Sequence, residues 1–189
     1  ARVIAGDTEL AHRVEDAIWA NLARPRAVGP LREAVRAMRE RIFKEHGSAE
    51  PWNLKHARGG IVEIEFALQY LKLLHAHAEP RLRTTVTFEL LAVLRDRGML
   101  PVDRAQDLAR AFALHQALQA VLRLSLTDRF KPVTAPPQLL AALVRAAGLA
   151  LEGEPPPADF EALERTLVET QTQVRQFFDE LCPPVPHIA

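Results

Sequence analysis

The chain has 189 residues, 48% hydrophobic and 25% charged, with 24 Lys+Arg against 24 Asp+Glu. That length suits one domain with a real core, and the balanced charge gives no global field to attract nucleic acid or an anionic membrane surface. Cys182 is the single cysteine, which excludes a disulfide framework and a thiolate zinc site and fits a reducing, cytoplasmic compartment; no apolar run approaches the roughly 20 residues needed to span a bilayer.

Residues 1–6 read as a linker, and the chain as a piece of a longer polypeptide. No segment alternates apolar with polar residues for long, and all eight glycines can be placed between helical segments. The pattern predicts an all-α fold, with one bundle of six to seven helices over 7–181. The first helix is expected from Asp7 or Thr8 to Leu22, with Leu10, Val14, Ile18 and Leu22 as one apolar stripe at i+4 spacing, flanked by Trp19. Gly29-Pro30 opens the second, whose seam is Leu31, Val35, Met38 and Ile42, and Gly47 stops it. Arg32, Arg36 and Arg39 lie on another face, read as solvated. After a linker at 48–54, a third helix runs from Gly60 to about Ala76. It is apolar round most of its circumference, with only Glu65, Gln69 and Lys72 as a polar stripe, so it belongs at the centre of the bundle.

A fourth helix is expected over Val86–Arg97. A fifth runs from Asp103 to about Leu126, with Asp103 and Gln106 resembling a capping box. His115 and Gln119 fall in its apolar seam and read as hydrogen-bonded core residues. A short helix over Gln138–Ala147 precedes a Pro-rich loop at 148–158. The last helix starts with Asp159 as N-cap. Its seam of Phe160, Leu163, Leu167, Val174, Phe177 and Leu181 is expected to dock on the bundle, with pairing between copies as the competing reading. Residues 182–189 read as a tail.

No phosphate-loop, nucleophile-elbow or zinc-helix motif is present, and His75 and His77 diverge too far round a helix to share a metal. The chemistry concentrates at Lys55–Phe66. Gly59-Gly60 permits positive φ and close backbone approach, at the N-terminus of a helix that favours anions. Lys55, His56 and Arg58 precede the pair. Glu65 heads the polar stripe, whereas Glu63 points into the apolar arc and needs a cationic or N–H partner, for which Lys55 and Arg58 are candidates. From the residues alone, an anion site and an internally paired turn both stay open.

The stretch Trp52-Asn53-Leu54-Lys55-His56-Ala57-Arg58-Gly59-Gly60-Ile61-Val62-Glu63-Ile64-Glu65-Phe66, with Gln69-Tyr70-Leu71, resembles the Lys-x-x-x-Gly-Gly-x-x-Asp-Ile-Glu-Phe signature of bacterial glutamine synthetase adenylyltransferases. A related helical domain occurs in the uridylyltransferases of the PII protein. Residues 1–7 resemble the junction leaving the catalytic domain, and Leu118–Leu124 a later helix of the same domain. One departure is Glu63, where the family pattern has Asp. The lead-in and the short tail are more similar to the C-terminal half of the enzyme.

The resemblance implies the helical domain that follows a nucleotidyltransferase domain, in an enzyme that attaches AMP from ATP to glutamine synthetase under control of PII. ATP and Mg²⁺ are then cofactors of the full-length enzyme, and none is expected on this chain alone. The family's catalytic combination is a Gly-Ser loop followed by an Asp-x-Asp pair. It does not occur here, so this chain carries no catalytic residue or metal ligand and is expected to be inactive by itself. Lys55, Arg58, Gly59 and Gly60 become the phosphate-facing candidates, and Glu63 and Glu65 the positioning or ion-pair residues. The alternative is a structural and regulatory module that docks PII or glutamine synthetase without touching nucleotide.

Overall fold

A computed structural model describes residues 3–125 and 129–184. Among them are seven α-helices and no strand: α1 (Thr8–Leu22), α2 (Val28–His46), α3 (Ile61–His75), α4 (Thr87–Asp96), α5 (Val102–Ser125), α6 (Pro137–Ala150) and α7 (Phe160–Leu181). The one extended pairing is an isolated bridge between Ser48 and Ala57. Local chemistry marks the helix ends. Asp7 caps α1 by accepting from Leu10 N–H at 2.8 Å, and Asp159 caps α7 by accepting from Ala162 N–H at 2.7 Å. At the other end of α1, the Arg26 guanidinium donates to the carbonyls of Leu22 and Asn21 at 2.6 and 2.8 Å. That satisfies acceptors the helix itself cannot. Gly98 ends α4 with φ +67°, where a side chain would be strained.

The third helix is central, packing against α2, α4, α5 and α7. Ile64, Leu68, Tyr70 and Leu71 are buried there with Leu90, Leu91 and Leu94 of α4 and Val174, Phe177 and Phe178 of α7. A second apolar cluster joins Leu114 and Leu118 of α5, Leu139 and Leu143 of α6, and Leu163 and Leu167 of α7. Each fully buried Leu or Ile contributes roughly 1.5–3 kcal/mol. The seam of α7 is thus consumed inside the bundle, which removes the basis for pairing between copies through it.

Several expectations are corrected. Leu10 and Val14 of α1 are 55% and 40% exposed, and α1 contains no buried residue; only Trp19 packs on the core. On α2, Met38 is exposed whereas Arg39 is fully buried, and Arg36 reaches Asp179 of α7 and the carbonyl of Cys182 just beyond it. The arginine face therefore looks inward: Arg39 neutralises Glu63 of α3, and Arg36 pairs with Glu40 and with Asp179 of α7. Lys72 is buried rather than part of a solvated stripe, and its Nζ donates to the Thr84 carbonyl at 2.7 Å. Asp103 lies inside the first turn of α5, which starts at Val102, so it is not an N-cap.

Gly29 and Gly148 sit within helices. Gly29 precedes Pro30 in a first turn, where missing intrahelical N–H bonds cost nothing. Gly148 faces Pro156, whose Cβ would meet an added Cβ at 3.0 Å, so the Pro-rich loop folds back over α6. Leu126, the expected end of α5, lies outside the described residues.

Candidate functional site

The loop entering α3 is built by its own polar groups. Asn53 accepts from Ala57 N–H at 2.8 Å through its carbonyl and from His56 N–H at 3.3 Å through its side chain. Trp52 and Leu54 anchor the loop in the second apolar cluster, and Gln171 of α7 donates to the Pro51 carbonyl at 2.8 Å. Gly59 then turns the chain with φ +76°. A Cβ there would lie 1.8 Å from the Gln171 carbonyl oxygen, so glycine is required on two counts. Gly60 is the extended N-cap of α3, with the Leu54 carbonyl 2.6 Å from where its Cβ would be.

Glu63, in the first turn of α3, is completely buried. Its carboxylate accepts from Arg39 Nη2 at 2.9 Å, from Arg58 Nη1 at 3.2 Å and from the Gly59 N–H at 2.5 Å. Arg58 also makes a forked contact to Glu40, at 3.1 and 2.5 Å, and its guanidinium lies 3.9 Å over the Phe43 ring. Glu40 in turn holds Arg36 at 3.1 Å. A connected charge network therefore joins α2, the glycine turn and α3. Hydrogen bonding from Arg58 holds the Glu40 carboxyl below the usual carboxylate range. For Arg58, desolvation opposes the charge, but Glu40 and Glu63 outweigh it and hold its pKa above the ordinary value. Burial draws Arg39 downward despite Glu63, and its Nε and Nη1 have no acceptor among the described residues.

This geometry closes the helix N-terminus to a ligand. Gly59 N–H is taken by Glu63. The N–H groups of Gly60, Ile61, Val62 and Glu63 donate to the carbonyls of Ala57, Leu54, Lys55 and Gly60 at 3.0–3.1 Å. Of the sequence candidates, Arg58, Gly59, Gly60 and Glu63 are brought together, facing one another. Lys55 and Glu65 remain exposed and border an open hollow of about 440 Å³ with His46, His56, Val62 and Phe66. Desolvation by that wall raises the Glu65 carboxyl, with Lys55 opposing.

Arg39 and Glu40 belong to the cluster but were missed by sequence reasoning. The available signal was the apolar arc into which Glu63 points, since a buried carboxylate needs donors for both of its oxygens, more than one loop arginine already shared elsewhere supplies. Among the described residues no group of three or more His, Cys, Asp or Glu side chains is placed to hold a metal, and both Glu63 oxygens are already engaged. These residues do not fit Mg²⁺.

The histidines outside the site are less eventful. His115 is buried, with Nδ1 2.6 Å from the Ala111 carbonyl. Gln119 is only half-buried and lines a groove instead of the core. His75 is half-buried and His77 exposed.

A family model described as GlnD PII-uridylyltransferase matches residues 29–182. The chain is also similar to proteins called bifunctional glutamine synthetase adenylyltransferase/adenylyl-removing enzyme. Identity is 41% for that of Xanthobacter autotrophicus, 39% for that of Rhodopseudomonas palustris strain BisB5 and 40% for that of a Bradyrhizobium strain. Each match covers 181 residues, 96% of this chain and 18% of the relative. The chain therefore spans less than a fifth of the length of these relatives. With residues 29–182 inside the family model, and the Lys55–Phe66 turn folded as one unit, the chain belongs to the GlnD PII-uridylyltransferase family.

Proposed function

We propose that the chain is the helical domain of an enzyme that adenylylates glutamine synthetase from ATP in the control of nitrogen assimilation. In this reading it completes the cleft beside a nucleotidyltransferase domain outside the chain, and by itself it transfers nothing. The observation that carries the proposal is the division of labour at the glycine turn. Glu63, Arg39, Arg58 and Glu40 lock the turn to α2 and α3, which leaves Lys55 free at the rim. Of the four phosphate-facing candidates, Lys55 alone keeps that role, because its exposed ammonium can reach a partner domain's nucleotide. Gly59, Gly60 and Arg58 are positioning residues that fix where Lys55 stands. ATP and Mg²⁺ are held by the catalytic domain, and the setting is the cytoplasm, where a lone thiol such as Cys182 stays reduced.

In the full-length enzyme, Lys55→Ala is expected to lower adenylylation of glutamine synthetase about tenfold or more, roughly 1.4 kcal/mol of transition-state stabilisation. Its melting temperature should not change. Unaltered turnover would remove Lys55 from the cleft.

A second reading is favoured by the closed N-terminus of α3, where no N–H is left for a phosphate. The domain would then be a regulatory module that docks PII or glutamine synthetase without contacting nucleotide. Calorimetric titration with PII and then with ATP separates the two: heat from PII together with none from ATP supports docking.

A further inference from the structure

The N-terminal half of α1 carries an apolar face that stays open among the described residues. Its stripe advances about 40° round the helix with every four residues, and the exposure follows that drift. Leu10 is 55% exposed and Val14 40%, whereas Ile18 and Leu22 are half-buried. Trp19, on the side opposite Leu10, is the residue seated on the core. Asp16 accepts from Arg83 at 2.9 Å, and Arg26 clamps the last carbonyls of the helix. The fastenings of α1 thus lie from its middle onward, and its first turns stand clear. A helix of 15 residues is marginal in water and takes its stability from burying an apolar face, yet α1 has no buried residue.

The matches to known proteins identify what covers the face. The family model begins at residue 29, after α1, so α1 lies outside the helical unit which that model describes. The adenylyltransferase relatives match over 181 residues of the 189. Such a match takes in part of α1, because α1 alone has 15 residues. These relatives extend far beyond the match, which covers 18% of each. A second copy of the chain is the poorer occupant. Two aliphatic side chains on adjacent turns fall well short of the roughly 800 Å² per partner that a stable dimer buries. A surface on the same polypeptide needs far less contact, since the covalent link already holds it at high effective concentration.

We propose that the Leu10–Val14 face of α1 docks on an aliphatic surface of the polypeptide that accompanies this domain in the longer enzyme. The inference rests on the proposed function only in placing the chain inside such an enzyme. It requires no particular reaction and no contact with Lys55.

The test reads thiol labelling instead of turnover, so its outcome is separate from that of Lys55→Ala. Leu10→Cys, Val14→Cys and His12→Cys are made singly in the full-length enzyme and in the 189-residue chain. Maleimide labelling of the α1 peptide is timed by mass spectrometry, which keeps it apart from the buried Cys182. His12 is exposed and lies about 160° round the helix from both stripe positions. All three sites are exposed, so the folds stay intact, as circular dichroism will show. In the chain alone the three thiols are expected to label within about threefold of one another. In the full-length enzyme the Leu10 and Val14 thiols are expected to slow at least about tenfold, and the His12 thiol less than about threefold. Stripe thiols that label as fast in the full-length enzyme as in the chain overturn the proposal. Equal slowing at all three positions also overturns it, by showing the whole helix enclosed instead of one face docked. Stripe thiols that are slow in the concentrated chain and quicken on dilution assign the face to a second copy, which is a third way for the proposal to fail.

Discussion

Replacing Glu63 by Gln keeps the side-chain volume but leaves the Arg39 guanidinium buried without a formal counter-charge, 2.9 Å from a neutral amide. Breaking a buried pair from one side costs about 3–5 kcal/mol. Glu63→Gln is therefore expected to lower the unfolding free energy by about that amount in urea titration. A loss below about 1 kcal/mol would show that Arg58 and water neutralise the site instead. His115 sets a pH dependence. Desolvation keeps its pKa below the ordinary value of 6.5, so its contribution is complete above pH 6.5 and is lost as pH falls through 6.5 toward the folded value. Stability is expected to decline below pH 6.5, and His115→Leu to make that slope shallower; identical slopes would place the titration elsewhere. At this scale the sequence was half legible. A carboxylate in an apolar arc announces that it has partners, and Arg58 was found five residues away on the same turn. Arg39 was not, because its helical position reads as equally compatible with solvent until α2 is rotated against α3.

The helices differ in how firmly they are held. Nothing in α1 is buried, whereas nine residues of α3 are, so local opening should be far easier in α1. Native-state hydrogen exchange is expected to show α1 amides exchanging at least a hundredfold faster than those of Ile64–Leu71, roughly 2.7 kcal/mol of local stability. Comparable protection would mean that α1 is braced beyond the Trp19 contact. The existence and order of the helices were readable from apolar periodicity and from Gly and Pro punctuation, and the ends of α3 and α4 fell within a residue of their expected places. The failures share one cause. Periodicity identifies an apolar stripe, but not whether anything covers it. In α1 the stripe is there and its cover is slight; in α2 the buried face was chosen by charge pairing instead of by Met38.

Across the molecule, two apolar clusters are bridged by the same two long helices. Phe112 of α5 and Val174 of α7 lie in one, Leu114 and Leu167 in the other, so neither cluster can melt without unwinding helices that the other needs. Leu94→Ala in the first and Leu143→Ala in the second are each expected to cost about 2–5 kcal/mol. Both should preserve a single unfolding transition by circular dichroism and fluorescence; a split transition in either variant would separate the clusters into independent units. The bundle and its central helix were legible because α3 is apolar nearly all round.

The contact between the glycine turn and Gln171 also has a temporal side. The Pro51 carbonyl waits for a side chain 120 residues further along the chain, and Gly59 waits for the backbone of the same residue. At ribosomal rates of about 5–20 residues per second, that interval is on the order of ten seconds. During it Glu63 and its arginines are already synthesised, but the wall that confines the turn does not yet exist. The signature at Lys55–Phe66 is thus confined late, and the arrival of α7 decides when.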